Sequence, residues 1–148
     1  MIERKKISMD GNTSAAHVSY AFTDVAAIFP ITPSSVMAEA TDEWATQGKK
    51  NLFGDVVKVG AGTVLTEEQL MICEDAGGEY MVTPNVNVDL IKKCVADGLM
   101  AMPGALTPTE AVTAYNAGAS YVKLFPIGVL GPEYVKAVMA PLSHIPAF

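Results

Sequence analysis

The chain has 148 residues, the length of one ordinary domain. Half of them (50%) are hydrophobic and 18% are charged, with a mean hydropathy of +0.28, which gives enough apolar surface to offset chain entropy and excludes a disordered polymer. The net charge of -6 repels phosphate backbones and anionic lipid, so nucleic acid and membrane are excluded as expected partners and a small molecule is favoured.

The start, MIERKKISMDG, carries basic residues with no apolar run behind them, and no stretch approaches the ~20 apolar residues of a membrane span, so a cytoplasmic protein is expected. From Asn12 to Phe22 the residues Ser14, Ala15, Ala16, Val18, Ala21 and Phe22 repeat at helical spacing behind an Asn12 or Thr13 cap. Val25 to Ile31 (VAAIFPI) is a short continuous apolar run, the pattern of a strand buried on both faces. Thr32-Pro33-Ser34-Ser35 then opens a helix from Val36 to Gln47 that Gly48 stops. On that helix Glu39, Asp42 and Glu43 form a solvated face, and Trp44 is expected to pack it onto the sheet.

From Asn51 onward the texture becomes a regular α/β alternation. Val56 to Val59 reads as a strand, GAGT as a tight loop, and Thr66 as the cap of a helix with Glu67 and Glu68 in its first turn, running to about Gly77. An internal repeat follows: Ala76-Gly77 leads to EYMVTP, Asp97-Gly98 to LMAMP and Ala117-Gly118 to ASYVKLFP, at intervals of about twenty residues. Each unit is a helix, a glycine stop, a short apolar strand and a proline. Helices and short strands at this spacing imply a parallel sheet of right-handed βα crossovers, in which chemistry gathers at the carboxyl ends of the strands. A complete (β/α)8 barrel needs roughly 200 to 250 residues, so the expected fold is α/β, a partial TIM-barrel-like arc.

VGAGTVLTEEQL, VTPN, MPGALTPTEA and VKLFP, in this order and spacing, resemble the 2-keto-3-deoxy-6-phosphogluconate (KDPG) aldolase family across Val59 to Phe148. A separate resemblance covers Met9 to Val59, where FPITPSS and its following helix are similar to the amino-terminal segment of pyruvate:ferredoxin (flavodoxin) oxidoreductases. The two resemblances imply a fusion of fragments, with a segment 1–59 of one kind and a partial barrel 60–148 of the other.

The aldolase resemblance implies that Lys123 is the lysine that attacks a substrate ketone, that Thr63 of GAGT contacts substrate, and that Pro84, Pro103 and Phe125 wall the pocket. On the residues alone, Tyr121, Lys123 and Phe125 share one face of a strand, and burial between two aromatics would supply the neutral amine that carbonyl attack requires. A strand-end lysine that snorkels to solvent fits the same pattern. Thr63 equally suits a turn residue bonded to its own backbone, and prolines end strands without any ligand. Thr32 and Ser34 match a turn that lies near the keto acid in the oxidoreductases, but helix capping explains both. His17 and His144 have no convergent partners for a metal, and Cys73 and Cys94, without CxxC spacing, read as buried structural thiols.

The resemblance therefore implies a class I, Schiff-base lyase acting on 2-keto-3-deoxy sugar acid phosphates and releasing pyruvate, with no metal and no cofactor. The family's glutamate base and carboxylate-binding arginine belong upstream of the GAGT strand, where the oxidoreductase-like piece stands, and its phosphate loops belong to strands beyond Phe148. Weak activity or none is expected. The alternatives are a non-catalytic fusion fragment and a remnant of a thiamine-dependent oxidoreductase, although thiamine diphosphate and iron-sulfur clusters are not implied by the segment retained. Open strand edges favour a homo-oligomer.

Overall fold

A computed structural model describes residues 7–28 and 35–148, and the chain divides into one unit of Met1–Lys58 and another of Val59–Phe148. The expected roles of Thr32 and Ser34 lie outside the described residues.

In the first unit, helix α1 (Gly11–Ala21) is capped by Asp10, whose carboxylate accepts hydrogen bonds from the N–H groups of Asn12 (2.9 Å) and Thr13 (3.0 Å). The expected caps, Asn12 and Thr13, are thus the donors. A carboxylate can accept both bonds and also suits the positive end of the helix dipole. The helix buries Ala16 and Tyr20 and leaves Val18 and Phe22 exposed, so its apolar stripe is narrower than the sequence pattern suggested. Strand β1 (Val25–Ile28) and helix α2 (Ser35–Thr46) follow. Trp44 stands edge-on to the rings of His17 (centroids 5.6 Å) and Tyr20 (5.7 Å), so it joins α2 to α1, helix to helix. Beyond α2, the buried Asn51 pins the loop. Its amide donates to Thr23 O (3.0 Å) and Asp24 Oδ1 (2.8 Å), while its Oδ1 accepts from the N–H groups of Phe53 and Asp55.

The second unit is the βα arc. Strands β2 (Lys58–Gly62), β3 (Tyr80–Val82) and β4 (Met100–Met102) run parallel in that order, with Gly60 opposite Tyr80 and Tyr80 opposite Met100. The GAG of GAGT is therefore strand, and only Thr63 turns the chain. The physical reason is contact: a Cβ on Gly60 would lie 2.5 Å from Cγ of Tyr80, so the glycine lets that ring lie flat on the neighbouring backbone. Past β4 the N–H-less Pro103 interrupts the ladder, which resumes as β5 (Gly104–Ala105) paired in parallel with β6 (Lys123–Leu124). Residues 146–148 return alongside β6, where Val122 N–H donates to Pro146 O (2.8 Å) and Leu124 N–H to Phe148 O (2.9 Å). The strands form an open parallel arc, and the described residues contain no closed barrel.

Helices α3 (Glu67–Asp75), α4 (Val88–Ala96) and α5 (Pro108–Asn116) start at side-chain caps supplied by Thr66, Asn87 and Thr107; α6 (Gly131–Met139) completes the set. The repeated stops Gly77, Gly98 and Gly118 have φ of 76°, 88° and 104°, the left-handed backbone that a residue with a Cβ resists, which explains the periodic glycines. One face of the arc packs on these helices. Met81 and Ala101, adjacent in register, meet Leu70, Ile91 and Ala111, each of them at least 99% buried. Each large side chain buried here stabilises the unit by about 1.5–3 kcal/mol. Among the described residues no helix is long and apolar enough to cross a membrane.

Candidate functional site

Strand register sets the site. Gly62, Val82 and Met102 lie opposite one another near the carboxyl ends of β2, β3 and β4, and two residues further on Pro84 and Gly104 share a row with Lys123, the residue opposite Gly104. This row closes tightly. A Cβ on Gly104 would fall 2.5 Å from Pro84 O and 2.9 Å from Thr83 O, so only glycine permits the approach. Gly104 thereby leaves the position beside Lys123 without a side chain. The sequence reading missed its importance, although the PGA motif holding a glycine against a proline was the available signal.

Lys123 is half-buried, and its Nζ lies 4.4 Å from the centre of the Phe125 ring. The two-walled aromatic burial expected for it is not found: Tyr121 is 46% exposed and Phe125 40%. Strand alternation explains this. Val122 and Leu124 take the helix-packed side, at 0% and 7% exposure, which sends Tyr121, Lys123 and Phe125 to the opposite face of the arc.

Thr63 follows β2 directly, is exposed, and has φ of 58°, making it the single non-glycine left-handed residue among those described. Left-handed backbone costs a β-branched residue more than most, and strain of this kind concentrates at ligand-binding positions. Thr83 is buried and spends its hydroxyl on Asn85 O at 2.5 Å, with Pro84 half-buried beyond it. Pro103 is fully buried behind the row and accepts the Lys123 N–H at 2.9 Å, whereas Phe125 donates its own N–H to Ala105 O at 2.9 Å. The fold thus brings Thr63, Pro84, Lys123 and Phe125 to one carboxyl edge.

No residue of these two rows carries a carboxylate: Gly62, Val82 and Met102 lie below Pro84, Gly104 and Lys123. Tyr80, further down the same face, has a buried hydroxyl without a hydrogen-bond partner, and burial, helped by neighbouring Cys73 and Glu79, pushes the phenol up to about 12. A phenol so placed stays protonated at neutral pH and offers no general base. Burial also raises both thiols, Cys94 to about 12, which leaves them poor nucleophiles. Among the described residues no three His, Cys, Asp or Glu side chains stand close enough to hold a metal ion.

The family model for KDPG and KHG aldolases matches residues 42–147. The 2-dehydro-3-deoxy-6-phosphogalactonate aldolase of Escherichia coli (strain K12) is 43% identical over 97 residues, which are 65% of this chain and 47% of that protein. A solved structure described as native KDPGal is 30% identical with a TM-score of 0.72, and the match covers 100% of this chain and 74% of that one. A separate segment is 73% identical over 55 residues to the pyruvate-flavodoxin oxidoreductase of Enterobacter agglomerans, a stretch that is 37% of this chain and 5% of that protein. The chain spans about half the length of the curated aldolase it matches and a small part of the oxidoreductase.

Proposed function

The chain belongs to the KDPG and KHG aldolase family, and we propose that its chemistry is the Schiff-base half of a class I aldolase-type lyase, with Lys123 as the amine and a 2-keto acid, pyruvate or the 2-keto-3-deoxy sugar acid phosphate that yields it, as the carbonyl partner. The observation that carries this reading is the gathering of Thr63, Pro84, Lys123 and Phe125 at one carboxyl edge of the arc, with the side-chain-free Gly104 opposite the lysine. The strand holds Lys123 by its backbone while the exposure of the neighbouring Tyr121 and Phe125 gives a small keto acid access to Nζ. Thr63, exposed in its left-handed turn, carries a hydroxyl from which a carboxylate or carbonyl oxygen can accept. Pro84 and Phe125 supply apolar walls.

Imine formation and turnover place different demands on the site. The first needs an amine and access; the second also needs a base to move protons at the carbinolamine and enamine stages, and that contribution is typically worth about 10² to 10⁴ in rate. The rows around Lys123 offer none, which supports capture of the keto acid with weak or no carbon-carbon cleavage. The exposure of Tyr121 and Phe125 favours a second reading, a folded but non-catalytic fusion product, because an open face encloses a bound keto acid poorly.

Borohydride added with pyruvate, followed by peptide mass spectrometry, separates the two. Under the first reading the adduct concentrates on Lys123 and is lost in Lys123→Arg, while cleavage of KDPG or its galactonate epimer stays near the uncatalysed rate. Labelling of Lys123 no greater than that of the exposed Lys92 and Lys136 would leave the non-catalytic reading.

A further inference from the structure

The aromatic-walled amine that the sequence promised at Lys123 exists elsewhere, in the first unit. The half-buried Lys49 follows the α2 helix, and its Nζ sits 3.6 Å from the centre of the Trp44 ring and 5.1 Å from that of Tyr20. His17 Nδ1 lies 3.2 Å from the same nitrogen. The backbone holds it in place: Lys49 N–H donates to Trp44 O at 2.9 Å, and Lys49 O accepts the Tyr20 hydroxyl at 2.6 Å. Two elements therefore converge on one amine, α1 through His17 and Tyr20, and α2 through Trp44. Among the described residues no carboxylate pairs with it.

We propose that Lys49 is an electrophile-capture site, at which a small aldehyde condenses with Nζ to an imine while His17 carries the proton. The steps balance within the cluster. His17 Nδ1 accepts a proton from the Lys49 ammonium, the freed electron pair forms the C–N bond, and the aldehyde oxygen takes a second proton from the same nitrogen to become the hydroxyl of a carbinolamine. His17 returns the proton to that hydroxyl, which leaves as water, and the product is a protonated imine and neutral His17. No oxidant or co-reactant is needed. The Trp44 face stabilises the cationic imine as it does the ammonium. Two rings and an imidazole crowd the amine, which favours a small carbonyl compound. Burial also lowers the pKa of Lys49 below the ordinary lysine value, which enlarges the neutral fraction available for attack.

This site is independent of Lys123, since the two lysines lie in different units and fall on different peptides. The test is competitive reductive alkylation of the full chain, with acetaldehyde and cyanoborohydride at limiting concentration near neutral pH and site-resolved mass spectrometry. Lys49 is expected to label several-fold faster than its exposed neighbour Lys50, and His17→Gln is expected to slow Lys49 while leaving Lys50 unchanged. Equal labelling of Lys49 and Lys50 in the parent chain would overturn the proposal. Because His17→Gln could disturb the helix pair, Trp44 emission is recorded for parent and variant. A slowed Lys49 with parent-like emission supports the relay, and an unslowed Lys49 refutes it. If the emission changes, His17→Asn is scored by the same criterion, and the parent Lys49-to-Lys50 ratio stands as the primary readout.

Discussion

Gly104→Ala tests whether the row that holds Lys123 is built on a backbone contact. The added Cβ would meet Pro84 O at 2.5 Å, Pro84 C at 2.6 Å and Thr83 O at 2.9 Å, all of them main-chain atoms that cannot rotate away. Ordinary contact requires about 3.5 Å, so the loop after β3 and strand β5 must part by about 1 Å. Overpacking of this kind costs typically 1–3 kcal/mol, and a main-chain obstacle belongs at the upper end, about 2–3 kcal/mol. A unit the size of Val59–Phe148 loses about 4–8 °C per kcal/mol, which predicts a melting point lower by about 8–24 °C in circular dichroism. The control is Gly128→Ala, where an added Cβ meets nothing within 4 Å, and which should fall within about 0.5 kcal/mol of the parent. Because Gly104 pairs with Lys123, pyruvate labelling at Lys123 should fall with the melting point, even when measured well below it. A Gly104→Ala protein that melts with the Gly128→Ala control would refute both the contact and the architecture of the site.

Two further outcomes follow from the same reasoning. Thr63→Gly removes a left-handed penalty of about 1–2 kcal/mol against a glycine entropy cost of about 0.5–1 kcal/mol, so it should raise the melting temperature slightly while weakening pyruvate capture; a lower melting temperature would show that the Thr63 backbone is unstrained. Glu110 accepts the N–H groups of Leu106 (2.9 Å) and Thr107 (2.8 Å) and the Thr107 hydroxyl, and these bonds hold its carboxyl below the usual glutamate range. A carboxyl whose folded value is depressed adds stability above the unfolded value, about 4.3, and loses it as pH falls through the lower folded value. The stability gap between parent and Glu110→Ala should therefore be widest near pH 7 in urea titrations and shrink below about pH 4; a gap constant with pH would rule out the carboxylate as its source.

Much of the second unit was legible because its signals are local. Gly77, Gly98 and Gly118 announce left-handed stops, and Thr66 announces a cap that accepts from Gln69 N–H, so helix ends could be read within a residue or two. What failed to show was set by tertiary contact. Gly60 looked like loop because glycine weakens isolated strands, yet the Tyr80 ring across the ladder demands it. Pro103-Gly104 looked like a strand ending, and β5 exists only because β6 pairs with it. The strand-end placement of Thr63, Pro84, Lys123 and Phe125 was legible, but the surroundings of Lys123 were misjudged. Alternation shows which side chains share a face and says nothing about whether that face is covered.

Coverage decides what kind of amine each lysine is. A desolvated lysine has lost the water that stabilises its charge, and only a concave set of neighbours removes that water. At Lys123 the neighbours on its face are Gly104, which has no side chain, and the exposed Tyr121 and Phe125, so access is generous. At Lys49 the rings of Trp44 and Tyr20 and the imidazole of His17 come from two packed helices, so access is narrower and burial lowers the amine's pKa. The two amines should therefore sort carbonyl compounds by different criteria. On the readings proposed above, Lys123 should admit a charged keto acid that needs room for its carboxylate, whereas Lys49 should favour a small neutral aldehyde that can lie against an indole. Labelled in one reaction with equal pyruvate and acetaldehyde, the chain should carry pyruvate-derived adduct mainly on Lys123 and ethyl groups mainly on Lys49. The same order of preference at both sites would show that exposure alone governs their reactivity.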